Sequence, residues 1–176
     1  MTNLFRRLNL SLIILLAVTF FVMLPQLKIP WMLIDDGESL RIAQEMDNHF
    51  SPKDYGWFLS FEKESGRFRP VYWIYHYLTY KAFGCNSALH HLAHLGIYLL
   101  ISFFIYQIVF RLSKDRLSAL LGGLLFLFFD PAKENLYRLG TAEPLFTLII
   151  LCLFYFLILQ KFRLVIIFTL LAYLTK

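Results

Sequence analysis

Two adjacent carboxylates, Asp35 and Asp36, follow the first long apolar segment and are the residues best placed to do chemistry. A carboxylate can act as a general base and accept the proton of an attacking hydroxyl. Ionisable groups beside a membrane segment are costly, so they usually have a function. Two other roles stay open: one aspartate could cap the helix that begins at Gly37, and Asp36 could help to bind a divalent metal ion.

Three arginines could hold a phosphate group near this acidic pair. Arg67 and Arg69 precede Pro70, which fixes the local backbone, and Arg138 lies in a later polar loop. We therefore treat these three as candidate phosphate ligands. The alternative is that they bind lipid headgroups or pair with neighbouring acidic residues.

Further polar residues lie close to apolar segments and are candidates for lining a site. They are Glu134, Asn135 and Glu143 in the polar loop 130–143, and His91 in a later apolar run. Glu143 precedes Pro144 and could instead mark the start of a helix. His90 and His94 have the four-residue spacing of a metal site, but no glutamate follows in the metalloprotease pattern, so polar packing is the favoured interpretation.

The composition is that of a membrane protein. Of 176 residues, 59% are hydrophobic and only 16% are charged, whereas about a quarter of a soluble domain is charged. The net charge is +5, but the basic residues stand at the ends of apolar runs and form no patch with interleaved aromatic residues. This distribution argues against nucleic acid as a partner.

The apolar runs predict an all-α integral membrane protein, a single polytopic bundle of four or five spans. The predicted spans are residues 8–27, 88–110, 117–130, 144–160 and 164–176. The first could be a signal peptide, but no small-residue cleavage site follows it, so we expect an uncleaved anchor. The pair Gly122-Gly123 should let neighbouring helices approach closely.

The loop 28–86 should contain two helices lying along the membrane surface. Residues 37–49 form an amphipathic pattern with apolar positions at Leu40, Ala43 and Met46, which continues to Phe50 just beyond them. Residues 71–83 follow Pro70, are rich in Tyr and Trp, and should end at Gly84. The alternative for this second helix is the outer end of a spanning helix. Asn86 or Ser87 should cap the next helix.

The basic residues predict the topology by the positive-inside rule. The rule places the N-terminus and the turns that contain basic residues in the cytoplasm. The basic residues are Arg6, Arg7, Arg111, Lys114, Arg116, Lys161 and Arg163. The loops 28–69 and 130–143 would then face the extracytoplasmic side of a plasma or inner membrane. The short fifth span suggests the N-terminal part of a larger module.

Several short motifs occur in a familiar order. The segment 34–46 begins Ile34-Asp35-Asp36-Gly37, and Arg67-Phe68-Arg69-Pro70 precedes Phe83-Gly84-Cys85-Asn86, His90-His91-Leu92 and a final Leu174-Thr175-Lys176. This order resembles the GT-C superfamily of membrane glycosyltransferases, in particular protein O-mannosyltransferases and lipid A aminoarabinose transferases. The departures are His94, where asparagine is common, and Ser87, where proline is frequent.

The resemblance implies an inverting transfer of a sugar from a polyprenyl-phosphate donor to a hydroxyl or amine at the extracytoplasmic face. Asp35 falls on the catalytic aspartate of that superfamily and Asp36 on its acidic neighbour. The implied partners are the polyprenyl-linked sugar, an acceptor protein, lipid or glycan, and membrane lipids. No cofactor is firmly implied, although a divalent metal ion is compatible with Asp36.

Two other classes of function compete with this hypothesis. One is a non-catalytic membrane subunit or degenerate relative of the same superfamily. The other is a transporter, which should carry ionisable groups near the middle of its spans. Here the acidic residues cluster at the outer face, which favours the enzyme.

Overall fold

A computed structural model describes residues 10–31, 35–48, 68–129, 135 and 138–176, without the side chain of Asp35. Within these ranges the secondary structure is helical and no strand occurs, as predicted. The described residues form seven α-helices: α1 (Leu10–Met23), α2 (Asp35–Asn48), α3 (Pro70–Phe83), α4 (Ser87–Ser113), α5 (Arg116–Phe128), α6 (Glu143–Ile158) and α7 (Phe162–Tyr173). A short 3₁₀ helix, Leu24–Lys28, continues α1.

The predicted start and stop signals operate at the ends of α3 and α4. Pro70 is the first residue of α3, and Gly84 ends it with a φ of 56° while its N–H bonds to the carbonyl of Tyr80. The side chain of Asn86 then caps α4 by accepting from the backbone N–H groups of Ala88 and Leu89. These local signals fix a tight corner between the two helices.

The long helix α4 is the centre of the bundle. It packs against α1 and the 3₁₀ helix, α3, α5 and α6, while α7 packs on α6 and α2 packs on α3. Leu15 of α1, Tyr106 of α4 and Ala119 of α5 form one buried cluster. The hydroxyls of Thr19 and Ser102 are 3.0 Å apart and join α1 to α4 in the interior.

The glycine pair in α5 allows the close approach that the sequence predicted. A Cβ added at Gly123 would overlap the side chain of Leu15 on α1, and one at Gly122 would lie 3.2 Å from Val109 on α4. Because both glycines face neighbouring helices, α5 sits closely against α1 and α4.

Among the described residues, two helices are long and apolar enough to cross a membrane, Leu10–Lys28 and Ser87–Ser113. The other apolar helices α5, α6 and α7 have 12 to 16 residues, or about 18–24 Å against a hydrocarbon core of ~30 Å. Large apolar side chains such as Phe21, Leu125 and Ile166 remain more than half exposed. Exposed apolar surface of this kind is typical of lipid contact.

Helix α2 is amphipathic, but its buried face is more polar than the sequence pattern suggested. Ala43 is buried, as expected, and Arg41 is exposed, but Ile42, which is not part of the predicted apolar stripe, is fully buried as well. Leu40 is only half-buried, whereas the polar Asp36 and Ser39 are buried. The reason is that α2 packs on α3 and exchanges hydrogen bonds with its neighbours there.

Candidate functional site

Several elements from distant parts of the chain meet at one end of the bundle. The backbone N–H of Val71, at the start of α3, donates to the carbonyl of Leu174 just after α7 (3.1 Å). The ammonium of Lys176 lies 3.5 Å from the carboxylate of Glu143, where α6 begins. This end also holds α2 and the loop 138–142, and it is the candidate site.

Asp36 is the best-placed acidic group of the described residues. It lies in the first turn of α2, is fully buried, and accepts a hydrogen bond from the backbone N–H of Gly140 at 2.7 Å. Helix α2 already begins at Asp35, so Asp36 lies inside the helix and is not a capping residue ahead of Gly37. Its carboxylate instead holds the loop 138–142 against α2.

Tyr72 extends this contact into a network. Its hydroxyl donates to the carbonyl oxygen of Gly140 at 2.6 Å, and the hydroxyl of Ser39 is 2.9 Å from the same Tyr72 oxygen. Since the Tyr72 proton is used on Gly140, Ser39 is the donor to Tyr72. Helices α2 and α3 and the loop are thereby joined by three hydrogen bonds that include the carboxylate of Asp36.

Arg69, a predicted phosphate ligand, belongs to the same neighbourhood. Its guanidinium carbon lies 4.9 Å from the ring centroid of Tyr72 and 5.3 Å from that of Trp73, within cation–π range. The side chain is half-buried. Arg138, a second predicted ligand, is exposed and stands two residues before Gly140, where its carbonyl accepts from the hydroxyl of Thr141.

The three histidines of α4 are all buried, and His91 is fully so. His94 faces the carbonyl of Asn135 through Nε2 at 3.3 Å, and His90 faces the carbonyl of Gly84 at 2.9 Å. In the described parts of the chain, no three His, Cys, Asp or Glu residues are grouped so that they could hold a metal ion.

His76 is a site residue that the sequence analysis missed. It is 6% exposed, and its ring is in T-shaped contact with the ring of Tyr72 at 4.4 Å. Burial, together with the nearby His90, His94 and Arg69, lowers the pKa of His76 to about 3. The sequence feature that could have identified His76 is the spacing of Arg69, Tyr72, Trp73 and His76, which places these residues on one face of a helix.

This pKa predicts that acidification destabilises the protein. Between pH 6.5 and about 3 the unfolded chain binds a proton at His76 that the folded chain does not, so the free energy of unfolding falls as pH falls. From pH 7 to pH 5 the loss is about 2 kcal/mol. Thermal melting in a nonionic detergent should show this slope, and His76→Phe should make it shallower by that amount; an unchanged slope in the variant would contradict the assignment.

A pocket of about 210 Å³ opens next to this region, between α4, the end of α5 and the start of α6. Asn135 and Glu143, both predicted to line a site, are on its wall. The remaining lining residues are mainly apolar: Tyr98, Ile101, Phe126, Phe129, Pro144 and Thr147. The pocket therefore combines a mainly apolar lining with the polar residues Asn135, Glu143, Tyr98 and Thr147.

The structure brings Asp36, Arg69, His91, Asn135, Arg138 and Glu143 to the same end of the bundle. The side chain of Asp35 and the residues Arg67 and Glu134 lie outside the described part of the chain. No protein-family model matches this chain, and no curated protein or solved structure is a significant match to it.

Proposed function

We propose that this protein is a membrane glycosyltransferase that moves a sugar from a polyprenyl-phosphate donor to an acceptor hydroxyl or amine, with inversion. The observation that carries the proposal is that the buried acidic residue Asp36 is linked through Gly140 to Tyr72, whose ring is in cation–π contact with the guanidinium of Arg69. An acid and a cation thus lie in the same neighbourhood at one end of an apolar helix bundle.

Transfer from such a donor needs one base and a means of holding phosphate. Asp35 accepts the proton of the acceptor group as its oxygen or nitrogen attacks the anomeric carbon. The bond between that carbon and the phosphate oxygen breaks, and its electron pair leaves with the phosphate. A single displacement of this kind inverts the anomeric centre.

Asp36 has a different role in this proposal from its neighbour. Its carboxylate is occupied by the N–H of Gly140, so it fixes the position of α2 and of the adjacent Asp35 relative to the loop 138–142. Arg69 and Arg138 hold the donor phosphate and stabilise the charge that develops on it. Arg67 is a third candidate for the same task.

The charges at the two ends of α4 support a proposed membrane orientation. The site lies at the end near His91, whereas Arg111 is in the last turn of α4, with Lys114 and Arg116 just beyond it. By the positive-inside rule the basic end is cytoplasmic, so the site faces the extracytoplasmic side. We propose that α5, α6 and α7 also enter the membrane, with polar flanking residues completing their length.

A non-catalytic membrane subunit is the second candidate function. It is favoured by the fact that Asp36 is fully buried and bonded to backbone, as a purely structural carboxylate would be. Such a protein would keep the fold and bind lipid without turning over a sugar donor.

The test is transfer by the complete gene product in membranes, supplied with a panel of polyprenyl-phosphate sugars. We expect sugar-dependent release of polyprenyl phosphate, and we expect Arg69→Gln to raise the KM for the donor at least tenfold, since a charge-assisted contact contributes about 1.5–3 kcal/mol. The matched control is Arg116→Gln at the opposite end, which should leave the KM unchanged. Absence of turnover with every donor would reject the enzyme in favour of the subunit.

A further inference from the structure

We propose that the C-terminal ends of α4 and α6 form a surface site for the headgroup of an anionic phospholipid. Arg111 is its central residue, and Lys114 and Lys161 supply two further positive charges. The site lies at the end of α4 opposite the candidate site for sugar transfer, so it is independent of that function. It requires only that the bundle lies in a membrane.

Basic side chains outnumber acidic ones at this end of the bundle. The acidic side chain among the described residues here is Asp115, which is occupied within its own turn because it accepts from the backbone N–H and the hydroxyl of Ser118. Within the described part of the chain, none of the basic side chains forms an ion pair with a carboxylate. They are Arg111, Lys114, Arg116, Lys161 and Arg163. This end therefore carries uncompensated positive charge.

The guanidinium of Arg111 is held in a fixed position against α6. Its Nη2 donates to the hydroxyl of Tyr155 at 3.2 Å, and its central carbon lies 5.1 Å from the centroid of the same ring. The ring of Tyr155 is itself in edge contact with Phe104 of α4. A guanidinium has five N–H donors and can bind phosphate through two of them. Because its orientation is already fixed, Arg111 is preorganised for an anion at the end of α4.

Lys114 lies one turn beyond Arg111 in a backbone conformation that favours glycine. It ends α4 with a φ of 59°, and its N–H donates to the carbonyl of Phe110 at 2.9 Å. A side chain is strained in this left-handed region, whereas glycine adopts it readily and is the usual residue at such a position. A lysine that persists under strain indicates a role for its side chain.

The turn after α6 positions Lys161 in a similar way. Gln160 has a φ of 56°, and its N–H donates to the carbonyl of Leu157 at 2.9 Å. The N–H of Lys161 donates to the carbonyl of Phe156 at 3.0 Å. These two hydrogen bonds form a Schellman motif. The motif folds the chain back onto the last turns of α6, which keeps Lys161 beside the part of the helix that holds Tyr155.

Exposed apolar side chains accompany these basic residues. Leu112, Phe154, Leu157 and Phe162 are 44–70% exposed. A soluble anion would leave this surface uncovered, whereas the acyl chains of a phospholipid would cover it while the phosphate binds the basic residues. Basic groups between the cytoplasmic ends of membrane helices bind acidic lipid headgroups in this manner. The combination of charge and apolar surface therefore favours a lipid as the occupant.

The experiment compares phospholipids on the full chain in a nonionic detergent, through the rise in melting temperature with lipid concentration. Dioleoyl phosphatidylglycerol should bind about tenfold more tightly than dioleoyl phosphatidylcholine, whose headgroup has no net charge, since a charge-assisted contact has about this value. Equal affinities would overturn the proposal. Glycerol 3-phosphate supplies the phosphate without acyl chains and should cause no shift at the same concentrations. A shift equal to that of the lipid would identify a soluble phosphate as the ligand and reject the lipid.

Variants assign the preference to individual side chains. Arg111→Gln should remove most of the preference for phosphatidylglycerol, and Lys161→Gln should weaken its binding about fivefold. Lys114→Gly should also weaken binding about fivefold, but it relieves the strained backbone, so the melting temperature without lipid should not fall. A loss of binding in this variant therefore cannot come from misfolding.

Arg116→Gln is the matched control, because Arg116 is an exposed cation at the same end of the bundle but belongs to α5. Its binding of phosphatidylglycerol should stay within twofold of the wild type. Equal weakening by Arg116→Gln and Arg111→Gln would show that general surface charge attracts the lipid, and would overturn the site. Wild-type affinity in both Arg111→Gln and Lys161→Gln would overturn it as well. Failure of sugar transfer would leave the lipid preference unchanged.

Discussion

Replacement of Asp35 by asparagine is expected to reduce sugar transfer by about 10²–10⁴-fold, the range for loss of a general base. The substitution keeps the size of the side chain and removes its basicity, so binding of the donor should change little. The measurement is the initial rate of transfer at saturating donor, with the KM determined separately. The loss should appear in kcat.

Glu38→Gln is the matched control for this substitution. Glu38 is an exposed acidic residue in the same first turns of α2, so its replacement removes one negative charge from the same helix without touching the site. We expect the transfer rate of this variant to match the wild type. Wild-type transfer by Asp35→Asn would refute the assignment of the base.

Asp36 should respond differently to two substitutions. Asp36→Leu leaves the N–H of Gly140 without its acceptor, which costs about 1–3 kcal/mol, and it releases the loop from α2. We expect a lower melting temperature and a loss of transfer of at least tenfold. Asp36→Asn retains an oxygen at the same position, so it should keep the fold and most of the transfer.

The comparison between these two variants separates a positioning role from a catalytic one. A structural acceptor tolerates the amide, whereas a base or a metal ligand needs the charge. If Asp36→Asn lost transfer as severely as Asp36→Leu while melting like the wild type, the carboxylate charge of Asp36 would be used in the chemistry. The roles given to the two aspartates would then have to be exchanged.

Local sequence signals predicted the helices well, because their causes are local. Pro70 at the start of α3, Gly84 at its end and Asn86 at the cap of α4 act through neighbouring backbone groups, and the sequence shows them directly. The same holds for the glycine pair of α5, whose small size is sufficient to predict close packing.

The partners of the site residues could not be read from the sequence. Asp36 and Gly140 are 104 positions apart, and nothing near either residue indicates that the carboxylate binds that particular N–H. His76 was missed for a related reason: its importance comes from burial against α4, whereas its local context is an aromatic helix resembling a membrane-surface element. The number of membrane spans could not be predicted from the apolar runs either, because α5, α6 and α7 are shorter than the thickness of a bilayer.

The position of α4 has a mechanical consequence. This helix of 27 residues is about 40 Å long; it presents His91 and His94 at one end, and at the other Arg111 bonds to the hydroxyl of Tyr155 on α6. Because α4 is a continuous helix that is packed at both ends, rotation of one end also rotates the other. A ligand that rotates the histidine end would therefore also move Arg111 at the opposite end of α4.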